Sequence, residues 1–468
     1  MPATIPGRPL MPTPQDLEET LDAFASILVN DPGPLEPDNP YYVQHLHGSD
    51  AEDVVQALVR TLKRTRGSAL YYFSGQRGTG KSTELRRLTT LLNGERNCRA
   101  YMIDALEYIS ESHPIELIDL LLVSVIAFAD RLKEVTGEEF LHESVATRFD
   151  QWLQTEIEIS SFSVVGVKTD FKKQQQSLIQ RIRGFDLARQ ERFVDECREY
   201  MRELSRFVCQ RHGVDKVVLI VDSLERLRGI GTEATNEMFD RVVKVFDGGV
   251  DALRLPELQV VYSVPPYLPY LANVKQRVSV SMLASVRVCQ PPALARRKPR
   301  PDGLEVMRAV VSKRFAQWPQ VLASDALDRL MLSSGGDMRQ LLRRLLLDVA
   351  DQAYYAKERL PLQADDLIIQ TVLEKHRVEF EQMVVQEEYP LLKGIADGNT
   401  LDLPKRSDLP VAARFFDIRA VLNYRNGVDW VDLNPLLWKL IDAWSPAPAT
   451  APAAPSVATP SNANPGIT

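Results

Sequence analysis

Cysteine is scarce. The four in this 468-residue chain, Cys98, Cys197, Cys209 and Cys289, lie far apart with no CxxC pair. That spacing argues against a disulfide framework and a zinc site, and buried thiols are expected. Long apolar runs are also missing: the longest, Leu120 to Ala129, contains Ser124 and falls short of the ~20 residues that cross a bilayer, so it predicts a buried helix and no membrane partner. No charge of one sign dominates. Lys and Arg number 56 against 63 Asp and Glu, a formal net charge of −7, which does not suggest a nucleic-acid coat protein. The N-terminus has no basic stretch leading into an apolar one, and a cytoplasmic protein is the expectation. What is present is 44% apolar and 25% charged residues, enough for two or three cores.

Proline marks the ends. Nine of the 30 prolines fall within residues 1–40 and six within 445–468. The tail from Ser445 has no charged side chain and little to bury, so it is expected to be disordered. Leu17 to Leu28 has the spacing of a short helix, and the DPGPLEPDNP stretch after it reads as a linker. The compact part is then expected from Tyr41 to Trp444.

Within it, short apolar runs alternate with helical patterns. Ala69–Phe73, Ala100–Ile103, Val217–Val221, Leu258–Val264 and, more weakly, Val286–Cys289 read as strands, and such runs separated by helices imply a parallel sheet covered on both faces. Between the second and third lies a long insertion with helical spacing over Ile115–Arg131 and Glu191–Val208. Residues 157–167 in it alternate partly, as in a β-ribbon.

The sharpest signal is Gly75-Gln76-Arg77-Gly78-Thr79-Gly80-Lys81-Ser82, a full GxxxxGK[ST] match after a strand and before a helix that begins at Thr83. The glycines let backbone N–H groups converge on phosphate oxygens, and the helix start adds partial positive charge. Lys81 would reach the β- and γ-phosphates of ATP, and Ser82 would hold Mg²⁺. Val217–Val221 ends in Asp222, a carboxylate at a strand's C-terminal edge and the second metal-ligand candidate. Glu225 is a candidate to orient the attacking water; a solvated acid at a helix start accounts for it as well. Ser263 puts a hydroxyl at the end of the fourth run, where it can contact phosphate or water or simply bond local backbone.

This order of elements resembles the AAA+ ATPases and the related STAND switch ATPases over roughly Tyr41 to Ala350. The resemblance implies an α/β fold: a parallel five-stranded P-loop NTPase core in which an added strand separates the phosphate-loop strand from the Asp222 strand. It also implies a helical lid, with Ser334-Gly335-Gly336-Asp337-Met338-Arg339 similar to the lid of replication-initiator members and Arg339 in the place of their γ-phosphate-sensing arginine. From the residues alone, Asp337 is a plausible N-cap, and Leu341, Leu342, Leu345, Leu346 and Val349 form a buried stripe. These families also use an arginine from a neighbouring subunit, for which Arg277 is the candidate by position, although an exposed arginine without a catalytic role fits too. Two departures stand out. Ser223 follows Asp222 where AAA+ members have Glu, which implies slow hydrolysis; and Leu46-His47-Gly48-Ser49 stands where STAND members carry Gly-Arg. Tyr41, Tyr42 and Val43 would pack on adenine or staple the core.

The expected organisation is an N-terminal segment 1–40, a core 41–300 with its insertion at about 110–212, a lid 301–375, a small C-terminal α+β domain 376–444 compatible with a winged helix, and the tail 445–468. Asn426-Gly427 between alternating runs predicts a hairpin. DNA binding by this last domain is not supported by charge, since residues 376–444 hold eight Lys/Arg against eleven Asp/Glu. Arg296-Arg297-Lys298 with Arg300 is a proline-flanked basic cluster, read as a solvated loop or as a contact for phosphate. The leading expectation is an ATP-binding and ATP-hydrolysing switch, with Mg²⁺, that couples nucleotide state to a protein partner or self-assembly. A DNA-associated ATPase, a small-molecule kinase and a nucleotide-holding module without turnover are the competing classes.

Overall fold

A computed structural model of the chain describes residues 14–109, 111, 115–137, 155, 181–226, 232–291 and 297–445. The expected ribbon at 157–167, Arg296 and the tail beyond Ser445 lie outside the described residues.

Five strands form one parallel sheet: β1 (Ala69–Gly75), β2 (Cys98–Asp104), β3 (Lys216–Asp222), β4 (Gln259–Val264) and β5 (Ser279–Leu283), in the order β2-β3-β4-β1-β5. β4 therefore separates β1 from β3, as expected. The period of two decides which residues face which layer. Val217, Leu219 and Val221 join the core formed with helices Leu117–Thr136 and Leu187–His212, whereas Val218 and Ile220 join the core formed with helices Val54–Arg64 and Lys81–Asn93. A strand buried on both faces has no polar side, which is why the Val217–Val221 run is continuous. The weak fifth candidate, Val286–Cys289, is not the fifth strand. Ser279–Leu283 takes that place beside β1, and Cys289 forms only an isolated bridge with Pro299. Ser279, Ser281 and the half-buried Val280 carry little apolar signal because β5 is an edge strand.

The N-terminal segment contributes more than its prolines suggest. Helix Pro14–Val29 places Leu21, Phe24 and Leu28 in a core shared with the lid residues Met307, Val311, Leu345 and Val349, and the Phe24 and Phe315 ring centroids are 5.1 Å apart. Nor does the stretch 31–40 hang free. Asp31 pairs with Arg314 at 2.7 Å, and the Leu35 amide donates to Thr83 Oγ1 at 3.0 Å.

The lid and the C-terminal segment meet the sheet's C-terminal edge. Asp337 caps the Gln340 amide at 2.9 Å, and the helix that follows passes through a π-helical turn, Leu341–Leu345, before regular helix resumes at Leu346. All five predicted stripe residues are buried. The C-terminal segment carries the predicted hairpin, β6 (Val421–Asn426) and β7 (Val428–Leu433), turning at Gly427. Gly336 makes the lid junction possible. It sits at φ +82°, and a Cβ there would come within 2.0 Å of the Val286 carbonyl oxygen. Gly336→Ala should therefore destabilise the protein by roughly 1–3 kcal/mol; a thermal midpoint equal to wild type would show that this approach is not required.

Candidate functional site

β1, β3 and β4 all run in one direction, so their C-terminal ends open on one edge of the sheet. The register pairs Phe73 with Ser263 and Val221 with Tyr262, which sets Gly75, Asp222 and Ser263 at the same edge. After β1, Gly78 (φ +93°) and Gly80 (φ +88°) adopt left-handed backbone, and the helix Lys81–Asn93 starts with no side-chain cap. Its first amides are thus left as donors, the arrangement that binds anions at a helix start. Within the loop, Thr79 is held by its own hydroxyl, which donates to the Gln76 carbonyl at 2.9 Å.

Lys81 and Glu225 form a buried ion pair, each side chain 3% exposed. Glu225 arrives there through an unusual turn: Ser223 adopts φ +71°, and Leu224–Arg226 form a 3-10 turn that brings the acid back over the sheet edge. Ser263 fixes this turn from β4. Its hydroxyl donates to Glu225 Oε2 at 3.0 Å and accepts the Leu224 amide at 3.1 Å. The two open readings of Glu225 and Ser263 are thereby narrowed, since Glu225 is not a solvated acid and Ser263 does more than bond local backbone.

The two carboxylates have unequal environments. Burial opposes charge on Glu225, but the Lys81 ammonium beside it holds its pKa below the usual carboxylate range. For Asp222, burial and then the neighbouring Glu225 carboxylate push the pKa up, and Lys81 and a hydrogen bond from Ser82 only partly oppose this. Asp222 Oδ1 is buried with no hydrogen-bond partner among the described residues. An orphaned carboxylate oxygen beside a serine hydroxyl fits a divalent cation that keeps most of its ligands as water or phosphate oxygen. A full protein cage is not present: among the described residues, no group of three or more His, Cys, Asp or Glu is placed to hold a metal ion.

A cavity of about 270 Å³ opens over this edge. Gln76, Arg77, Gly78, Gly80, Lys81, Ser82, Thr83 and Glu225 form its floor, Tyr41, Tyr42, Val43 and Leu46 one wall, and Val310, Met338, Arg339 and Leu342 of the lid another. The Tyr42 hydroxyl donates to Glu84 at 3.0 Å, while the Arg314 guanidinium lies 5.6 Å from the Tyr41 ring centroid. Leu46 and His47 line the cavity, whereas the Ser49 amide bonds Glu52 at 3.2 Å. Arg339 lines the cavity. Arg277, expected to serve a neighbouring subunit, lies away from the cavity: it precedes β5 at the opposite edge of the sheet and pairs with Asp251 at 3.0 Å. Three cavity arginines escape sequence reasoning, namely Arg226, Arg314 and Arg343. Arg343 was findable, because it stands four residues after Arg339 and so shares its helix face.

Gln76 ties the loop to the C-terminal segment. Its Nε2 donates to the Val421 carbonyl at 2.5 Å, and its Oε1 accepts from Ser285 Oγ at 3.2 Å. The hairpin therefore packs on the glycine loop.

The chain matches no known family model and no curated protein sequence. Strand order and the loop-to-helix transition are those of a generic P-loop or Rossmann-like nucleotide-binding topology.

Asp222→Asn tests the charge balance. A carboxylate whose pKa is raised by folding costs stability that accumulates as pH climbs from the ordinary carboxylate range to the raised value and stays constant above it, and removing the acid relieves that cost. The variant should melt higher than wild type at pH 8, with the gap closing toward pH 4; an equal or lower midpoint at pH 8 would contradict the assigned environment.

Proposed function

We propose that the chain is an AAA+/STAND-type ATPase that binds ATP with Mg²⁺ over the Gly75–Ser82 loop, cleaves the β–γ bond, and changes its contacts with a protein partner or a second copy according to nucleotide state. The observation that carries this reading is the meeting of Lys81, Glu225 and Ser263, from the ends of three different strands, beside an Asp222 oxygen that lacks a partner. A structural ion pair alone has no need of that orphaned oxygen.

In this reading, Lys81 leaves Glu225 for the β- and γ-phosphate oxygens when the triphosphate enters. Glu225 Oε1 is then free to accept a hydrogen bond from the attacking water, while Ser263 keeps Oε2 in place. Ser82 and Asp222 would hold Mg²⁺, whose chemistry is neutralisation of charge on the phosphate oxygens. The Ser223 departure from the AAA+ pattern is met by displacement: the left-handed turn puts the acid three residues after Asp222 instead of one. Arg339 on the lid faces the γ-phosphate end, so closure of the lid depends on the third phosphate. Arg277, 40% exposed and on the far edge, can act only on a neighbouring copy.

Lys81→Ala should abolish ATP binding measured by calorimetry, and unchanged affinity would remove the phosphate-loop assignment. Glu225→Gln should bind ATP at least as well as wild type, because Lys81 is no longer held, yet turn over roughly 10²-fold more slowly or worse. A wild-type rate would move the role to another residue. Light scattering should give different masses in ATP and ADP. Turnover should not respond to DNA; stimulation that fades with salt would favour the DNA-associated class instead.

A further inference from the structure

Beside the nucleotide cavity lies a second cleft, of about 380 Å³, lined by Arg77, Arg339, Arg343, Arg344, Asp417 and Arg419. Five arginines face one acid, in a chain whose net charge is −7. They come from three separate segments: the glycine loop, the lid helix and the turn before β6. Four of the five have a partner drawn from the surrounding segments. Arg344 pairs with Glu379, Arg419 with Asp337 at 3.0 Å, and Arg77 with Glu111 at 3.6 Å; Arg343 gives one N–H to the Asp31 carbonyl at 2.7 Å. Arg339 has no hydrogen-bond or ion-pair partner among the described residues. Holding these cations together is costly. Burial and then Arg419, Arg343 and Arg226 hold the Arg339 pKa below the usual guanidinium range, and Arg419 itself sits at φ +61°, a strained backbone for a residue with a Cβ.

We propose that this cleft is a second anion site, built for a short polyphosphate chain. The chemistry could be supplied by free inorganic polyphosphate or by the distal phosphates of a nucleotide longer than a triphosphate. Arg77, Arg339 and Arg343 line both cavities, so the two adjoin. Planar guanidinium forks arranged around a small volume suit closely spaced phosphate oxygens. A nucleic-acid backbone would need an extended basic face, and the adjoining segment 376–444, with eight basic and eleven acidic residues, has none. The site goes beyond the ATPase reading and does not require it.

Calorimetric titration of inorganic tripolyphosphate at low, fixed ionic strength tests this in the full chain. Binding should survive in Lys81→Ala and weaken about tenfold or more in Arg343→Gln/Arg344→Gln, and likewise in Arg77→Gln, which alters a different segment. The melting midpoint of each variant identifies any loss caused by misfolding. Retention in ADP-saturated protein would assign free polyphosphate as the source; competition with ADP would assign the distal phosphates of a longer nucleotide. Loss in Lys81→Ala with no change in the two folded arginine variants would place the anion in the glycine loop and overturn the proposal. Tighter binding of an oligonucleotide of equal charge, sensitive to the same arginines, would overturn the ligand class.

Discussion

Lys81 and Glu225 meet where water is nearly excluded, each about 3% exposed. Breaking such a pair by removing one partner costs about 3–5 kcal/mol, because the remaining charge stays buried. Each therefore holds the other's backbone in place: the glycine loop after β1 and the left-handed turn after β3. Ser263 locks the turn from β4, so three strand ends are joined by one side-chain network. Asp222 adds a second carboxylate to a site with a single buried lysine. The excess negative charge on this side favours a cation, while the arginines on the lid side favour an anion. A metal-bound polyphosphate has this polarity.

The same edge is where the rest of the chain is attached. Gln76 binds the β6 backbone, Tyr424 donates to the Gly335 carbonyl at 2.7 Å, and Arg419 pairs with the Asp337 that caps the lid helix. A shift of the glycine loop would be felt directly by both lid and hairpin. Two of the hairpin's polar groups, the Val421 carbonyl and the Tyr424 hydroxyl, are thus engaged by the loop and the lid. The lid helix contains a π-helical turn that starts two residues after Arg339, a distortion that often marks functional positions in helices.

Much of the sheet was legible because a strand buried on both faces has to be apolar throughout, as Val217–Val221 is. β5 was misplaced because an edge strand does not, and its serines hid it behind the more apolar Val286–Cys289. The prolines before Tyr41 suggested a free segment, yet Leu21, Phe24 and Leu28 fill the lid core; apolar spacing outweighs turn residues when a groove is available to receive it.

From the order of residues alone came the glycine loop, Lys81, Ser82 and Asp222, because each depends on a local event: a turn that needs glycine, a helix start, a strand end. The role of Glu225 was undecidable there, since an acid after a strand is as easily solvated as buried. Tertiary structure settled its place through the φ of Ser223 and a hydroxyl 38 residues away. The arginine cleft was beyond the reach of sequence altogether: its members span Arg77 to Arg419, and only folding brings like charges from three segments into one cleft.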